Sequence, residues 1–189
     1  MSAQGALLGR ITRLLDETGI PYMVVGSLAS SFHGEPRQTR DIDLVIDPSG
    51  ADVLRRFLER LPPDQLYADA GAAGDAFERR TSFNVIEAAT GWKVDLIVRR
   101  DRPFSREELS RRIRIRVLDT DVHLATAEDT IIAKLEWAMQ GESERQLRDV
   151  ASILETQADT LDRTYLDRWI QALGVKDAWE RAWQLTERS

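Results

Sequence analysis

Apolar residues recur at helical spacing near the start of the chain, where Leu7, Leu8, Ile11, Leu14 and Leu15 fall between Ala6 and Asp16 and the run closes at Gly19 and Pro21. The pattern predicts an amphipathic first helix. Tyr22 to Val25 is short, apolar and β-branched, bounded by Pro21 and Gly26, and reads as a buried strand. Ser27 then opens a second helix as its cap, with Leu28, Ala29 and Phe32 facing inward and Gly34 and Pro36 ending it. Ile42 to Ile46 reads as the second strand, and Val53, Leu54, Phe57, Leu58 and Leu61 make a third helix that stops at Pro62-Pro63.

Ala68 to Ala76, rich in Ala, Gly and Asp and without periodicity, predicts a loop. Thr81 to Ala88 and Trp92 to Val98 form a hairpin through Thr90-Gly91, with Asp95 among apolar neighbours in the second arm. Ile113, Ile115 and Val117 alternate with Arg112, Arg114 and Arg116, a half-buried strand that Val122 to Ala125 pairs with across Asp119-Thr120. Beyond Ala125 the period is helical throughout. Thr126-Ala-Glu-Asp caps a helix through Met139, a second runs from Glu142 to Glu155, and two more fill Leu161 to Thr186.

These elements predict an α/β (α+β) architecture: a mixed, twisted sheet of about five strands flanked by helices over residues 1–125, with a helical C-terminal part, 126–189, packed on that core. A chain of 189 residues with 42% hydrophobic and 31% charged residues is long enough to bury a real core and is neither disordered nor membranous in composition. The absence of cysteine excludes disulfides, thiolate metal sites and a Cys nucleophile. The N-terminus shows no leader pattern and no run of apolar residues would span a bilayer, so the expectation is a cytoplasmic protein with no membrane partner. A net charge of -6 argues against a general nucleic-acid coat. One local exception stands out: Arg99, Arg100, Arg102, Arg106, Arg111, Arg112, Arg114 and Arg116 are either a basic surface or solvated strand and loop positions.

Chemistry gathers between residues 22 and 47. Asp41 and Asp43 are two apart in an apolar run, and in a strand such residues face one way, about 6–7 Å apart. Unpaired carboxylates in apolar surroundings ask for a counterion, most simply Mg²⁺. Gly26-Ser27 lies between a strand and a helix, where backbone amides attract anions such as the terminal phosphates of a nucleotide. Asp95 supplies a further carboxylate on a later strand.

Gly26-Ser27, thirteen intervening residues, Asp41-Ile42-Asp43 and the downstream Asp95 resemble the pattern of nucleotidyltransferases of the DNA polymerase beta superfamily. Arg37-Gln-Thr-Arg-Asp-Ile-Asp-Leu-Val, Ala127-Glu-Asp-Thr-Ile-Ile-Ala-Lys134 and Arg145-Gln-Leu-Arg-Asp149-Val-Ala-Ser-Ile-Leu look like further motifs of the AbiEii-type nucleotidyltransferases, toxins of toxin-antitoxin and phage-defence systems. The resemblance spans Gly26 to Leu154 and implies a nucleotidyltransferase-type fold and transfer of an NMP from an NTP to an acceptor hydroxyl. In it, Asp41, Asp43 and Asp95 hold two Mg²⁺ ions, Gly26 and Ser27 hold the nucleotide with Ser27 contacting the leaving pyrophosphate, and Lys134 reaches toward phosphate. Arg37 and Arg40 stand beside the metal carboxylates as phosphate partners or as balancing charge. Asp149 is either a catalytic residue or one end of a helix ion pair with Arg145 or Arg148. The implied partners are the NTP, a tRNA or other RNA acceptor, and a cognate antitoxin protein.

Other readings remain beside it: an antitoxin-type enzyme that modifies a partner protein, a small-molecule (antibiotic) nucleotidyltransferase, or a nucleotide-binding module without turnover. Lys134 has an alternative in snorkelling at a helix edge. His33 and His123, without His or Cys neighbours, read as structural. Trp137, Trp169, Trp179 and Trp183 read as core of the helical part rather than a base-stacking platform.

Overall fold

The structure is a computed structural model that describes residues 2–39, 41–141 and 143–186. Arg40 and Glu142, both singled out by the sequence, lie outside the described residues. The chain divides into two compact units, Met1–Val25 with Thr39–Leu124, and Gly26–Gln38 with Ala125–Ser189.

The first unit is built on a seven-stranded mixed sheet: β1 (Tyr22–Val25), β2 (Ile42–Ile46), β3 (Leu66–Tyr67), β4 (Ser82–Glu87), β5 (Lys93–Val98), β6 (Ile113–Val117) and β7 (Thr120–Leu124), in the order β3-β4-β5-β2-β1-β7-β6. Seven strands exceed the expected five. The two-residue β3 is too short to leave an alternation in sequence, and the Arg-bearing β6 and β7 join the central sheet through parallel pairing of β7 with β1. β2 runs antiparallel to β1 and parallel to β5, and β5 runs antiparallel to β4. Leu118 and Asp119, both at positive φ, form the two-residue turn between β6 and β7, the primed geometry that matches strand twist.

Helix α1 (Ala3–Thr18) starts where the Ser2 hydroxyl accepts the Gly5 N–H at 3.1 Å, and it ends at left-handed Gly19. Leu7, Leu8, Ile11 and Leu15 on its inner face are fully buried, as their spacing predicts. Helix α3 (Ala51–Glu59) buries Leu54 and Phe57. Residues expected to form a loop instead fold as α4 (Ala70–Arg79). Asp69 caps it by accepting the Ala72 N–H at 2.7 Å, alanine favours the helix, and Ala73 and Ala76 face the core. Only two small apolar residues mark that face, so the period is faint in the sequence. Helix α5 (Pro103–Arg111) also went unmarked; proline sits in its first turn, and Phe104 and Leu109 are buried.

The second unit is helical: α2 (Gly26–His33), α6 (Ala127–Met139), α7 (Ser143–Gln157), α8 (Arg163–Leu173) and α9 (Lys176–Thr186). At the start of α6 the Thr126 hydroxyl accepts the Asp129 N–H at 3.2 Å and donates to Asp129 Oδ2 at 2.8 Å. The Tyr165 hydroxyl of α8 donates to the other oxygen, so a fully buried carboxylate ties the two helices together. Thr126→Ala removes a cap and one donor to that carboxylate and is expected to cost about 2 kcal/mol in urea denaturation.

The end of α2 is held equally closely. A Cβ on Gly34 would stand 2.5 Å from Ser152 Oγ and 3.1 Å from the Ile153 backbone nitrogen on α7, so a side chain there would force α7 groups to shift. His33 Nε2 donates to the Ala125 carbonyl at 2.8 Å, and Gln157 Nε2 donates to the His33 carbonyl at 2.7 Å. Burial holds His33 below its ordinary pKa, so it is the neutral, structural histidine the sequence suggested. The unfolded chain takes up this proton near pH 6.5 and the folded chain only lower, so stability falls as pH drops through that window. Urea midpoints are expected to decrease from neutral toward acidic pH, with a shallower slope in His33→Gln.

Among the described residues no helix is long and apolar enough to cross a membrane.

Candidate active site

The carboxylates of the sheet owe their placement to strand periodicity. In β2, Ile42, Leu44 and Ile46 are fully buried on one face, which leaves Asp43, half-buried, on the other. In β5, Val94, Leu96 and Val98 take the buried face, so Lys93, Asp95 and Ile97 share the opposite one. The parallel register sets Asp43 directly opposite Asp95. Neighbouring strands are about 4.8 Å apart, so two carboxylates from strands distant in sequence share one small area. Asn84 of β4 stands opposite Asp95 on its other side.

Lys93 Nζ is 3.5 Å from Asp95 Oδ2, while Asp95 Oδ1 is buried and accepts no hydrogen bond among the described residues. Leaving a buried polar atom unpartnered costs about 1–3 kcal/mol, more for an anion, so this oxygen is placed for a cation or a donor from outside the chain. Oxygen-only donors suit a hard ion such as Mg²⁺, and the Asp43–Asp95 pair fits one. Asp41 differs from the expectation of a strand residue: it precedes β2 and is exposed, with its backbone N–H donating to Thr39 Oγ1 at 3.3 Å and its carbonyl accepting from that hydroxyl at 3.5 Å. Among the described residues no three His, Cys, Asp or Glu side chains converge into a metal-binding group.

The helical unit carries the second cluster. Gly26, at φ 63°, begins α2, and Ser27 lies inside the first turn rather than capping it. Ser27 Oγ accepts from Arg37 Nη2 at 3.0 Å and from Arg145 Nη2 at 3.4 Å. Arg37 also grips Asp149 in bidentate fashion, Nε to Oδ1 at 3.1 Å and Nη2 to Oδ2 at 2.9 Å. Lys134 Nζ donates to Asp149 Oδ2 at 2.7 Å.

Lys134 is therefore buried in an ion pair and does not snorkel. Nor does Asp149 form a helix pair: Arg148 is bound to Glu144 at 2.8 Å, and the partners of Asp149 come from α6 and from the segment after α2. Three cations, Arg37, Lys134 and Arg145, surround one carboxylate, and the electrostatics follow that excess. Burial lowers the Lys134 pKa, and Arg37 and Arg145 push the same way against the opposing pull of Asp149. Burial raises the Asp149 pKa, but the hydrogen bonds and charges of Lys134 and Arg37 outweigh it and the net direction is down. Three cations around one carboxylate leave the cluster with an excess of positive charge, suited to an anion, and the lowered Asp149 pKa agrees with that excess.

Ser30 and Arg145 belong to this cluster without having been singled out as site residues. Ser30 Oγ donates to Asp149 Oδ2 at 3.2 Å, and its only sequence signal was the i,i+3 spacing from Ser27. The Arg-rich segment is neutralised in part: Arg99 Nε meets Asp47 at 2.8 Å, Arg106 meets Asp101 at 2.6 Å, and Arg116 lies 3.8 Å from Asp121. Trp169 is buried, Trp179 and Trp183 are half-buried edge to face, and Trp137, expected in the core, is exposed.

No family model matches this chain, and no curated protein matches it in sequence. Solved structures do. An antigenic nucleotidyltransferase-like protein from Paracoccidioides brasiliensis superposes with a TM-score of 0.55 at 17% identity, covering 96% of this chain and 94% of its own. The antibiotic-resistance factor ANT(2'')-Ia in solution gives 0.54 at 12% identity over 98% and 95% of the two chains. Its crystal form with adenylyl-2''-tobramycin gives 0.51 at 14% identity over 99% of each. At such identities the likeness concerns the backbone, and on that ground the chain has the nucleotidyltransferase fold.

Proposed function

We propose that the protein is a Mg²⁺-dependent nucleotidyltransferase that moves an NMP from an NTP to an acceptor hydroxyl and releases pyrophosphate. The observation that carries this reading is the register of β2 against β5, which sets Asp43 beside Asp95 with one Asp95 oxygen buried and unpartnered. Asp43 and Asp95, joined by Asp41, would hold the metal, which when bound neutralises charge on the attacking and leaving oxygens. Asp95 would also help take the proton of the acceptor hydroxyl as that oxygen bonds to the α-phosphorus and the bond to pyrophosphate breaks.

The cationic cluster of the helical unit, taken by itself, supports a phosphate-binding role. Arg37, Lys134 and Arg145, with Ser27 and the amides that open α2 at Gly26, supply donors for phosphate oxygens. The resemblance of the ordered motifs to those of AbiEii-type enzymes supports an RNA acceptor, tRNA first, and a role as the toxin of a toxin-antitoxin pair.

Incubation with each of the four α-labelled NTPs and Mg²⁺, in the presence of total RNA, cell protein and a small-molecule fraction including aminoglycosides, tests this. Label in RNA is the expected result. Label in protein or in a small molecule keeps the chemistry and replaces the acceptor, whereas no label in any fraction overturns the proposal.

A further inference from the structure

Asp149 spends both carboxylate oxygens on donors from three separate stretches of chain. Oδ1 accepts Arg37 Nε, and Oδ2 accepts Arg37 Nη2, Lys134 Nζ and Ser30 Oγ, at 3.1, 2.9, 2.7 and 3.2 Å. A carboxylate offers about four lone-pair sites, so four bonds leave it little capacity to ligate a metal or take a proton. Its partners keep donors in reserve. The Lys134 ammonium has two N–H groups beyond the one on Asp149, and Nη1 of Arg37 takes part in none of these bonds.

Flexible side chains lose affinity for a ligand to the entropy of ordering them, and a buried clamp removes that cost before the ligand arrives. The Lys134 and Asp149 side chains are each only 7% exposed, so their pairing is shielded from competing water, while Arg37 is 32% exposed and reaches solvent. Resting on the phosphate-binding reading of this cluster, we infer that Asp149 is a positioning residue: it holds Arg37 and Lys134 so that their remaining N–H groups receive the phosphate oxygens of the nucleotide. Ser30 is part of the same clamp.

The two roles open to a carboxylate here differ in sign. An anion that merely balanced charge would repel a phosphate, and its removal would tighten binding; removal of a clamp loosens it. The groups facing Lys134 are Asp149 and Arg145 of α7 and Arg37 after α2, and of these only Asp149 favours the protonated amine. Without it the amine loses its proton at lower pH, and anion binding fails earlier on the alkaline side.

Calorimetric titration with inorganic pyrophosphate across pH is the test. Asp149→Asn is expected to bind pyrophosphate roughly tenfold more weakly near neutrality and to shift the alkaline loss of binding downward, with Asp149→Glu recovering most of both. Equal or tighter binding by Asp149→Asn, or an unmoved alkaline limb, overturns the inference. Should that variant fail to fold, Ser30→Ala takes its place with a loss of about two- to threefold, and unchanged affinity there counts against the clamp. Lys134→Met and Arg37→Met probe the underlying site. Unchanged pyrophosphate affinity in both removes the phosphate reading itself, whereas weakened binding in both alongside tighter binding by Asp149→Asn removes only the positioning role.

Discussion

Asp43→Asn is expected to lower NMP transfer by about a thousandfold or more while leaving the fold intact. Asparagine matches aspartate in shape, and Asp43 lies on the half-exposed face of a strand whose other face, Ile42, Leu44 and Ile46, carries the packing. What the change removes is one of the two charges that the β2–β5 register brings together. Losing a metal-directed carboxylate removes several kcal/mol of transition-state stabilisation, and each 1.36 kcal/mol is about tenfold in rate. Kinetics with α-labelled NTP, beside a denaturation curve for the same variant, separate lost chemistry from lost folding. Transfer within a few-fold of the parent would remove Asp43 from the site.

Lys134→Met is expected to act on stability and on function together. The side chain is buried, and methionine is an apolar residue of similar length that can occupy the same place. Yet Asp149 loses its shortest bond while staying buried. Breaking a buried ion pair costs about 3–5 kcal/mol, and because Arg37 still holds the carboxylate the lower end is expected, near 3 kcal/mol by chemical denaturation. Transfer is expected to fall about a hundredfold, most of it as weaker NTP binding, since a phosphate-directed cation acts before and during the reaction. A variant that unfolds earlier but keeps its NTP affinity would mark Lys134 as purely structural.

Much of the sheet and most of the helices were legible because alternation and helical period are local signals. Ile42, Leu44 and Ile46 bury one face of β2, and Leu7, Leu8, Ile11 and Leu15 line α1. Helix α4 escaped because its inner face is two alanines. The same division holds for the site. Asp43 and Asp95 stand out as carboxylates in apolar strands, and only the parallel register shows that they are neighbours. Nothing in the motif order says that Lys134 and Arg37 meet at Asp149, since Arg37 comes from 112 residues away and the nearer Arg145 and Arg148 offered a more obvious partner. Ser30 carries only its i,i+3 spacing from Ser27 in the sequence, which does not point to the carboxylate its hydroxyl donates to. Long-range side-chain pairing of this kind is set by packing, which the period of a sequence does not encode.

The central claim is that the carboxylates of β2 and β5 hold the divalent cation of a nucleotidyl transfer. Anomalous scattering from crystals grown with Mn²⁺ and a non-hydrolysable NTP measures this directly. The account predicts a Mn²⁺ peak within bonding distance, about 2.2 Å, of carboxylate oxygens from both Asp43 and Asp95, lost in Asp43→Asn. Nucleotide bound with no metal at these two residues, or Mn²⁺ held at another group of ligands, would contradict it.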